Sequence, residues 1–164
     1  MRPHDWVRSG DTPNARQTTR FWNKVYVLDT DHMSILRRGG SNALRLQLRL
    51  SEVPDVEIVT CVIVYEEQMR GWMSEVARMR SGSQFILPYD ALIVNLSIYC
   101  AMQVLPFDAR AAVIFDDLKR QRIRGGTQDL KIAAIVIANN AVLLTRNKSD
   151  FDHVPDLRIE VWCA

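Results

Sequence analysis

Short apolar runs alternate along the chain with longer amphipathic segments. The apolar runs predict buried strands over 25–28, 56–64, 104–108, 141–145 and 158–162. The segments between them predict helices over 31–38, 43–50, 65–80, 83–103, 109–121 and 129–140. The segment 43–50 alternates apolar and charged residues as a strand does, but its Leu, Arg and Gln content favours a helix. Apolar strands separated by helices are typical of an α/β fold with a mostly parallel sheet.

The first residues of the chain do not follow this pattern. Residues 1–23 show no hydrophobic period and contain Gly10, Pro13 and Asn14. We expect them to form a disordered tail, or an over-extended start of the reading frame, before a folded domain over 24–164. No apolar run reaches the about 18 residues that a membrane span needs. The N-terminus is polar, so we expect a cytoplasmic protein without a signal peptide or a membrane segment.

Charge is distributed unevenly along the chain. The formal net charge is +2, and residues 1–24 hold five basic residues against two acidic ones. The overall charge therefore does not indicate a nucleic-acid-binding protein, and such an interpretation depends on local patches. One patch surrounds the predicted start of the last helix: Arg120, Arg122, Arg124, Arg146 and Lys148. It is either a solvated surface or a site that holds a phosphate backbone.

Acidic and amide side chains recur where predicted strands end or helices begin. They come from four separate places: Asp29 and Asp31, Glu66 and Glu67, Asp129, and Asn147 and Asp150. In an open parallel sheet, ligands bind beyond the carboxyl ends of the strands. Clustered carboxylates raise one another's pKa unless a cation neutralises them. Oxygen ligands of this kind suit Mg²⁺ or Mn²⁺, which promote hydrolysis at phosphoryl groups.

Each acid also has a simpler explanation. An acid at a helix N-terminus is favoured by capping and by the helix dipole, and Asp150 also fits a turn. Asp129 is the most informative position, because it precedes the almost entirely apolar segment LKIAAIVIA. We expect that helix to be buried, and a charge at its buried end needs a partner or a metal.

Five segments in order carry a resemblance to a known family: LDTD, EEQMRGW, LPFD, GTQDLKIAA and LLTRNKSDFDHVPDLRIEVW. Together they resemble PIN-domain proteins, and within these the VapC-type toxins of prokaryotic toxin–antitoxin pairs. The resemblance covers roughly residues 25–162. It implies a three-layer α/β/α sandwich with a central, mostly parallel sheet of four to five strands. It also implies a ribonuclease that uses Mg²⁺, with Mn²⁺ as an alternative, cleaves RNA, binds a cognate antitoxin protein and forms a homodimer.

The resemblance also assigns roles to individual residues. The family's first three catalytic and metal-binding acids fall on Asp29, Glu67 and Asp129. The fourth position varies, and it falls on Asp150 or on the site of Asn147. We prefer Asp150 because it keeps the charge. The expected supporting residues are Asp31, Thr145 and Asn147. One departure is Val64, since members often carry Thr three residues before the family's glutamate.

Two alternatives remain open at this point. VYVLDTDH also resembles the strand end of haloacid-dehalogenase-like phosphatases, in which Asp29 would be a nucleophile and Asp31 its acid/base partner. KSDFD supplies only a loose version of the later residues that this alternative needs, and Glu67 and Asp129 stay unexplained. The second alternative is a PIN-fold binding protein that does not catalyse.

Overall fold

Five short strands form one parallel sheet in the order β3-β2-β1-β4-β5. The structure, a computed structural model, describes residues 24–163, so the expected tail lies outside the described residues. The strands are β1 Tyr26–Leu28, β2 Ile58–Cys61, β3 Gln103–Leu105, β4 Val142–Leu144 and β5 Arg158–Glu160. The predicted parallel α/β sheet is confirmed, and β1 lies at its centre.

Six helices connect the strands. They are α1 Thr30–Arg38, α2 Ser41–Leu50, α3 Val62–Arg78, α4 Gly82–Ala101, α5 Ala109–Arg120 and α6 Thr127–Ala138. The helix predicted over 43–50 is confirmed as α2. Strand order reverses after β3, and right-handed crossovers therefore send α5 and α6 to the opposite face from α1 to α4. The result is the expected three-layer α/β/α sandwich.

The core lies around β1, β4 and α6. Leu28, Leu143 and Leu144 are at most 1% exposed, because both faces of these central strands are covered by helices. The expectation that α6 is buried is also confirmed, since Ile132 and Ile135 are at most 1% exposed. The carboxyl ends of β1 and β4, where some of the candidate residues are predicted, thus belong to the most deeply buried part of the sheet.

The second predicted strand is shorter than expected. It ends at Cys61, and α3 begins at Val62 rather than near residue 65. Valine and isoleucine favour strands, but Ile63 and Val64 are buried as helical residues, so tertiary packing outweighs their intrinsic preference. As a consequence, Glu67 lies in the second turn of α3 and not at its first turn.

The helix α4 lies where the sequence predicts a helix and contains Pro88. Among the described residues, α4 is also long and apolar enough to cross a membrane, by length and composition only, with a mean hydropathy of 1.2. The expectation that no segment reaches that length is therefore wrong for α4. Its outward side, here named the α4 apolar face, exposes Ile86, Leu87, Tyr89, Ile93, Val94 and Leu96 by 52–78%.

Because the centre of the sheet is buried, we expect that truncating a side chain there lowers the stability of the fold strongly. Leu143→Ala should lower the free energy of unfolding by about 2–5 kcal/mol, because it leaves a cavity between β4 and the helices that cover the sheet. Leu44→Ala, on the outer side of α2 where Leu44 is 63% exposed, should change it by less than about 0.5 kcal/mol. Urea unfolding measures both, and equal losses would contradict this location of the core.

Candidate active site

Asp29 is fixed by the two central strands. It follows β1 directly and is the N-cap of α1, where one carboxylate oxygen accepts a hydrogen bond from the Thr30 amide at 2.6 Å. The other oxygen accepts from the Thr145 hydroxyl, just after β4, at 2.7 Å. The Asp29 amide donates to the Leu144 carbonyl at 3.2 Å. Asp29 is only 7% exposed, so its carboxylate is held at the carboxyl edge with little freedom.

The electrostatics of Asp29 reflect this burial. Burial raises the pKa of Asp29 from its ordinary value of 3.8 to about 6. Hydrogen bonds from Thr145 and Thr30 oppose the rise, while the charges of Glu67 and Asp31 add to it. A buried carboxylate that is also repelled by neighbouring carboxylates is stabilised by a bound cation.

Glu67 comes to the same edge from α3. Its carboxylate accepts a hydrogen bond from the Thr30 hydroxyl. Gln68, the next residue of α3, donates to the Thr30 carbonyl at 3.3 Å and to the Ser34 hydroxyl at 3.0 Å. Thr30 and Gln68 are functional candidates that the sequence pattern does not predict. The one feature of the sequence that could have indicated them is their position directly after Asp29 and Glu67.

Asp129 and Asp150 form a second part of the edge. Asp129 lies in the first turn of α6, and its pKa is raised by burial and by the charge of Asp150, while a hydrogen bond from Gly126 opposes the rise. A Cβ atom at Gly126 would lie 2.6 Å from an Asp129 carboxylate oxygen, so a larger residue there would displace that carboxylate. The Asn147 side chain donates a hydrogen bond to Asp150. The two residues considered for the fourth position are therefore bonded to each other.

Asp31 and Glu66, the acids beside the predicted ligands, differ from those ligands in that each forms an ion pair with an arginine. Arg146 binds Asp31 through two hydrogen bonds, at 2.6 and 2.8 Å. Arg70 forms an ion pair with Glu66, one helical turn away. Gln128 also donates to Glu66 at 3.1 Å, which joins the start of α6 to α3. These bonds fix Asp31 and Glu66 beside the site, but they occupy their carboxylates.

The four predicted ligands lack such partners. Within residues 24–163, no salt bridge involves Asp29, Glu67, Asp129 or Asp150. Oxygen donors without a cationic partner fit Mg²⁺ or Mn²⁺ chemically. In the described part of the chain, however, no three Asp, Glu, His or Cys side chains converge closely enough to hold an ion. The electrostatic couplings join the acids as two pairs, Asp29 with Glu67 and Asp129 with Asp150.

The predicted basic residues fall into two groups. Arg120 pairs with Asp117, and Arg146 pairs with Asp31. Arg122, Arg124 and Lys148 are exposed and form no salt bridge within the described residues. They lie on the loop before α6 and on the turn after β4. These segments are in contact, since a Cβ atom at Gly125 would lie 3.8 Å from the Asp150 carbonyl oxygen.

The parallel sheet and its acid-lined carboxyl edge define a doubly wound α/β domain with a candidate divalent-metal site. The family profile described as PIN domain matches residues 26–157. The chain therefore belongs to the PIN domain family, which confirms the resemblance noted in the sequence. The family match leaves the phosphatase alternative without support.

Known proteins resemble the chain in sequence and in fold. The tRNA(fMet)-specific endonuclease VapC of Salmonella typhimurium is 32% identical over 82 residues, which are 48% of this chain and 62% of that protein. The match thus spans less than two thirds of that relative. VapBC-1 of nontypeable Haemophilus influenzae superposes with a TM-score of 0.67 at 22% identity, covering 85% of this chain and 99% of that one. A toxin–antitoxin complex from Klebsiella pneumoniae superposes with a TM-score of 0.60 at 19% identity, covering 82% and 95%.

The raised pKa of Asp29 predicts a pH-dependent stability in metal-free buffer. The folded state binds the proton more tightly than the unfolded chain, so this contribution is complete below pH 4 and is lost as pH rises through about 6. The parent should therefore lose about 2–3 kcal/mol relative to Asp29→Asn between pH 4 and pH 7. Urea unfolding in EDTA measures the difference.

A matched control uses an acid at the opposite edge. Asp55 precedes β2 and is exposed, so Asp55→Asn should shift the unfolding free energy relative to the parent by less than about 0.5 kcal/mol over the same range. A flat difference for Asp29→Asn as well would mean that the Asp29 carboxylate is not buried as described.

Proposed function

We propose that this protein is a metal-dependent endoribonuclease that acts as the toxin of a toxin–antitoxin pair. The observation that carries the proposal is the set of four acids at the carboxyl edge without a cationic partner among the described residues. Membership of the PIN domain family supports it, as does the likeness to a protein named an endonuclease. The non-catalytic alternative would leave the buried carboxylate of Asp29 and the half-buried carboxylates of the other three acids without a compensating cation.

Asp29, Glu67, Asp129 and Asp150 would hold Mg²⁺ or Mn²⁺. Such an ion supplies Lewis-acid chemistry that promotes attack of water on a phosphodiester. The chain itself orients the carboxylates. Thr145 holds one oxygen of Asp29, and Asn147 holds one oxygen of Asp150. A carboxylate oxygen accepts more than one bond, so these contacts leave lone pairs for a metal.

The exposed cations beside the acids support RNA as the substrate. Arg122, Arg124 and Lys148 offer positive charge to a phosphate backbone at the rim of the site. Arg120 and Arg146 contribute once their present carboxylate partners are exchanged for phosphate. Exposed ion pairs are weak enough to permit that exchange, with a typical free energy of about 0.2–1 kcal/mol. An RNA substrate in turn supports the expected cytoplasmic location.

We propose an antitoxin partner that covers the acidic edge. A basic group from another protein would neutralise the paired carboxylates and exclude a metal from them. The fold shared with a toxin–antitoxin complex from Klebsiella pneumoniae supports this partner.

The α4 apolar face supports a homodimer. The inward side of α4 packs on its own domain, where Pro88, Asn95 and Tyr99 are buried, so only the outward side is free to bind another molecule. A two-fold axis would pair this face with itself and bury apolar side chains on both copies. Monomers rarely expose apolar patches larger than a few hundred Å². Asp90 and the packing of α4 on α3 argue against insertion of this helix into a membrane.

The proposed activity predicts cleavage of RNA that depends on metal and on Asp29. Purified protein should cleave mixed RNA with Mg²⁺ and not with EDTA. Asp29→Asn should lower the rate at least about 100-fold, because it removes a charged ligand. Gel analysis of the RNA measures cleavage.

The control for this experiment is again Asp55→Asn, an exposed acid at the amino edge of the sheet. It should cleave as the parent does. Cleavage that survives EDTA, or that is equal in the parent and Asp29→Asn, would contradict the proposal. Binding of RNA without cleavage by the folded parent would favour the non-catalytic alternative.

The proposed dimer predicts a matched pair of results in sedimentation equilibrium. Ile93→Glu, at the middle of the α4 apolar face, should convert a dimer into a monomer because it would bury two unpaired charges. Val113→Glu, on α5, replaces a side chain of similar exposure and should leave the dimer intact. A monomeric parent, or equal dissociation of both variants, would contradict this interface.

A further inference from the structure

Thr30 lies between two carboxylates that come from different elements. Its amide donates to Asp29 at 2.6 Å, and its hydroxyl donates to Glu67. Asp29 follows β1, whereas Glu67 lies in α3 after β2, and Thr30 and Glu67 are 37 residues apart in the chain. One residue therefore supplies a hydrogen-bond donor to each acid of the pair.

A second set of contacts fixes Thr30 from the side of α3. Gln68 donates to the Thr30 carbonyl and to the Ser34 hydroxyl, at 3.3 and 3.0 Å. On the other side of Glu67, Glu66 accepts from Gln128 of α6 at 3.1 Å. Consecutive side chains of α3 thus bind α1 and α6 on either side of Glu67, which limits rotation of α3 about its axis.

We propose that Thr30 is a positioning residue that sets the arrangement of Asp29 and Glu67 for metal binding. This inference rests on the proposed function. Two neighbouring carboxylates repel each other, and donors directed at both offset that repulsion before a metal arrives. The hydroxyl holds one oxygen of Glu67, and the other oxygen has no hydrogen-bond partner within the described residues. That free oxygen is available as a ligand.

The hydroxyl can be removed without removing the amide. Thr30→Val keeps the shape of the side chain and the hydrogen bond from the backbone amide to the Asp29 carboxylate. It deletes the hydroxyl that donates to Glu67. Thr30→Ser keeps both donors. Thr127 begins α6 as Thr30 begins α1, and its hydroxyl makes no hydrogen bond within residues 24–163, so Thr127→Val is a matched control.

The test is Mn²⁺ affinity, measured by calorimetric titration of the full chain without RNA. Loss of a residue that orients a metal ligand typically weakens binding about 10–100-fold. We expect a loss of that size for Thr30→Val, and affinities near the parent's for Thr30→Ser and Thr127→Val. Thermal unfolding in EDTA verifies that each variant is folded.

Cleavage kinetics supply a second readout. Thr30→Val should lower kcat at a fixed low Mn²⁺ concentration, leave KM for RNA unchanged, and recover at high Mn²⁺. A hydroxyl with only a structural role would lower the melting temperature without changing Mn²⁺ affinity.

The outcomes separate this inference from the proposed function. Parent-like Mn²⁺ affinity in a folded Thr30→Val would overturn the role of Thr30 while the parent still cleaves RNA. Equal losses in Thr30→Ser and Thr30→Val would overturn it as well, because the hydroxyl would not be responsible. If the folded parent neither binds Mn²⁺ nor cleaves RNA, the proposed function fails, and the role of Thr30 fails with it.

Discussion

The burial of the Asp29 carboxylate is the constraint on which the rest of the site depends. Asp29 is held between the ends of β1 and β4, at 7% exposure, by an amide of α1 and a hydroxyl after β4. Taking a charge out of water is unfavourable unless donors or cations surround it. Two neutral donors meet only part of that need. The same burial that makes Asp29 rigid therefore makes a bound cation favourable at this edge.

The topology explains why the other acids come to this position. In a parallel sheet, every strand ends at the same edge, so α1 and α3 both start there, and α6 starts there because it leads back to β4. Asp29, Glu67 and Asp129 thus lie along the same edge of the sheet although the chain separates them widely. The edge also collects the loop before α6 and the turn after β4, which carry the exposed cations.

The sequence predicts the sheet and the ends of β1 and β4 well because their signals are local. Buried runs that end in LDTD and LLTRN mark strand ends directly. The boundary between β2 and α3 is not predictable in this way, because Val62 to Val64 intrinsically favour a strand and become helical through packing. The bond from Thr30 to Glu67 spans 37 residues, so no local pattern indicates it. Likewise, the exposure of α4 depends on where its neighbours lie, and composition alone does not reveal it.

The neighbours of each acid, rather than its own chemistry, determine whether its carboxylate lacks an ion-pair partner. Asp31 stands two residues from Asp29, yet Arg146 occupies both of its oxygens. Glu66 stands directly before Glu67, yet it faces Arg70 and Gln128. Asp31 and Glu66, the acids with cationic partners, link α1 and α3 to the elements around them. Asp29 and Glu67, which have no such partners, keep lone pairs open. The bonds from Arg146 to Asp31 and from Gln128 to Glu66 connect the two halves of the edge, and a divalent ion would supply further attraction between the carboxylates.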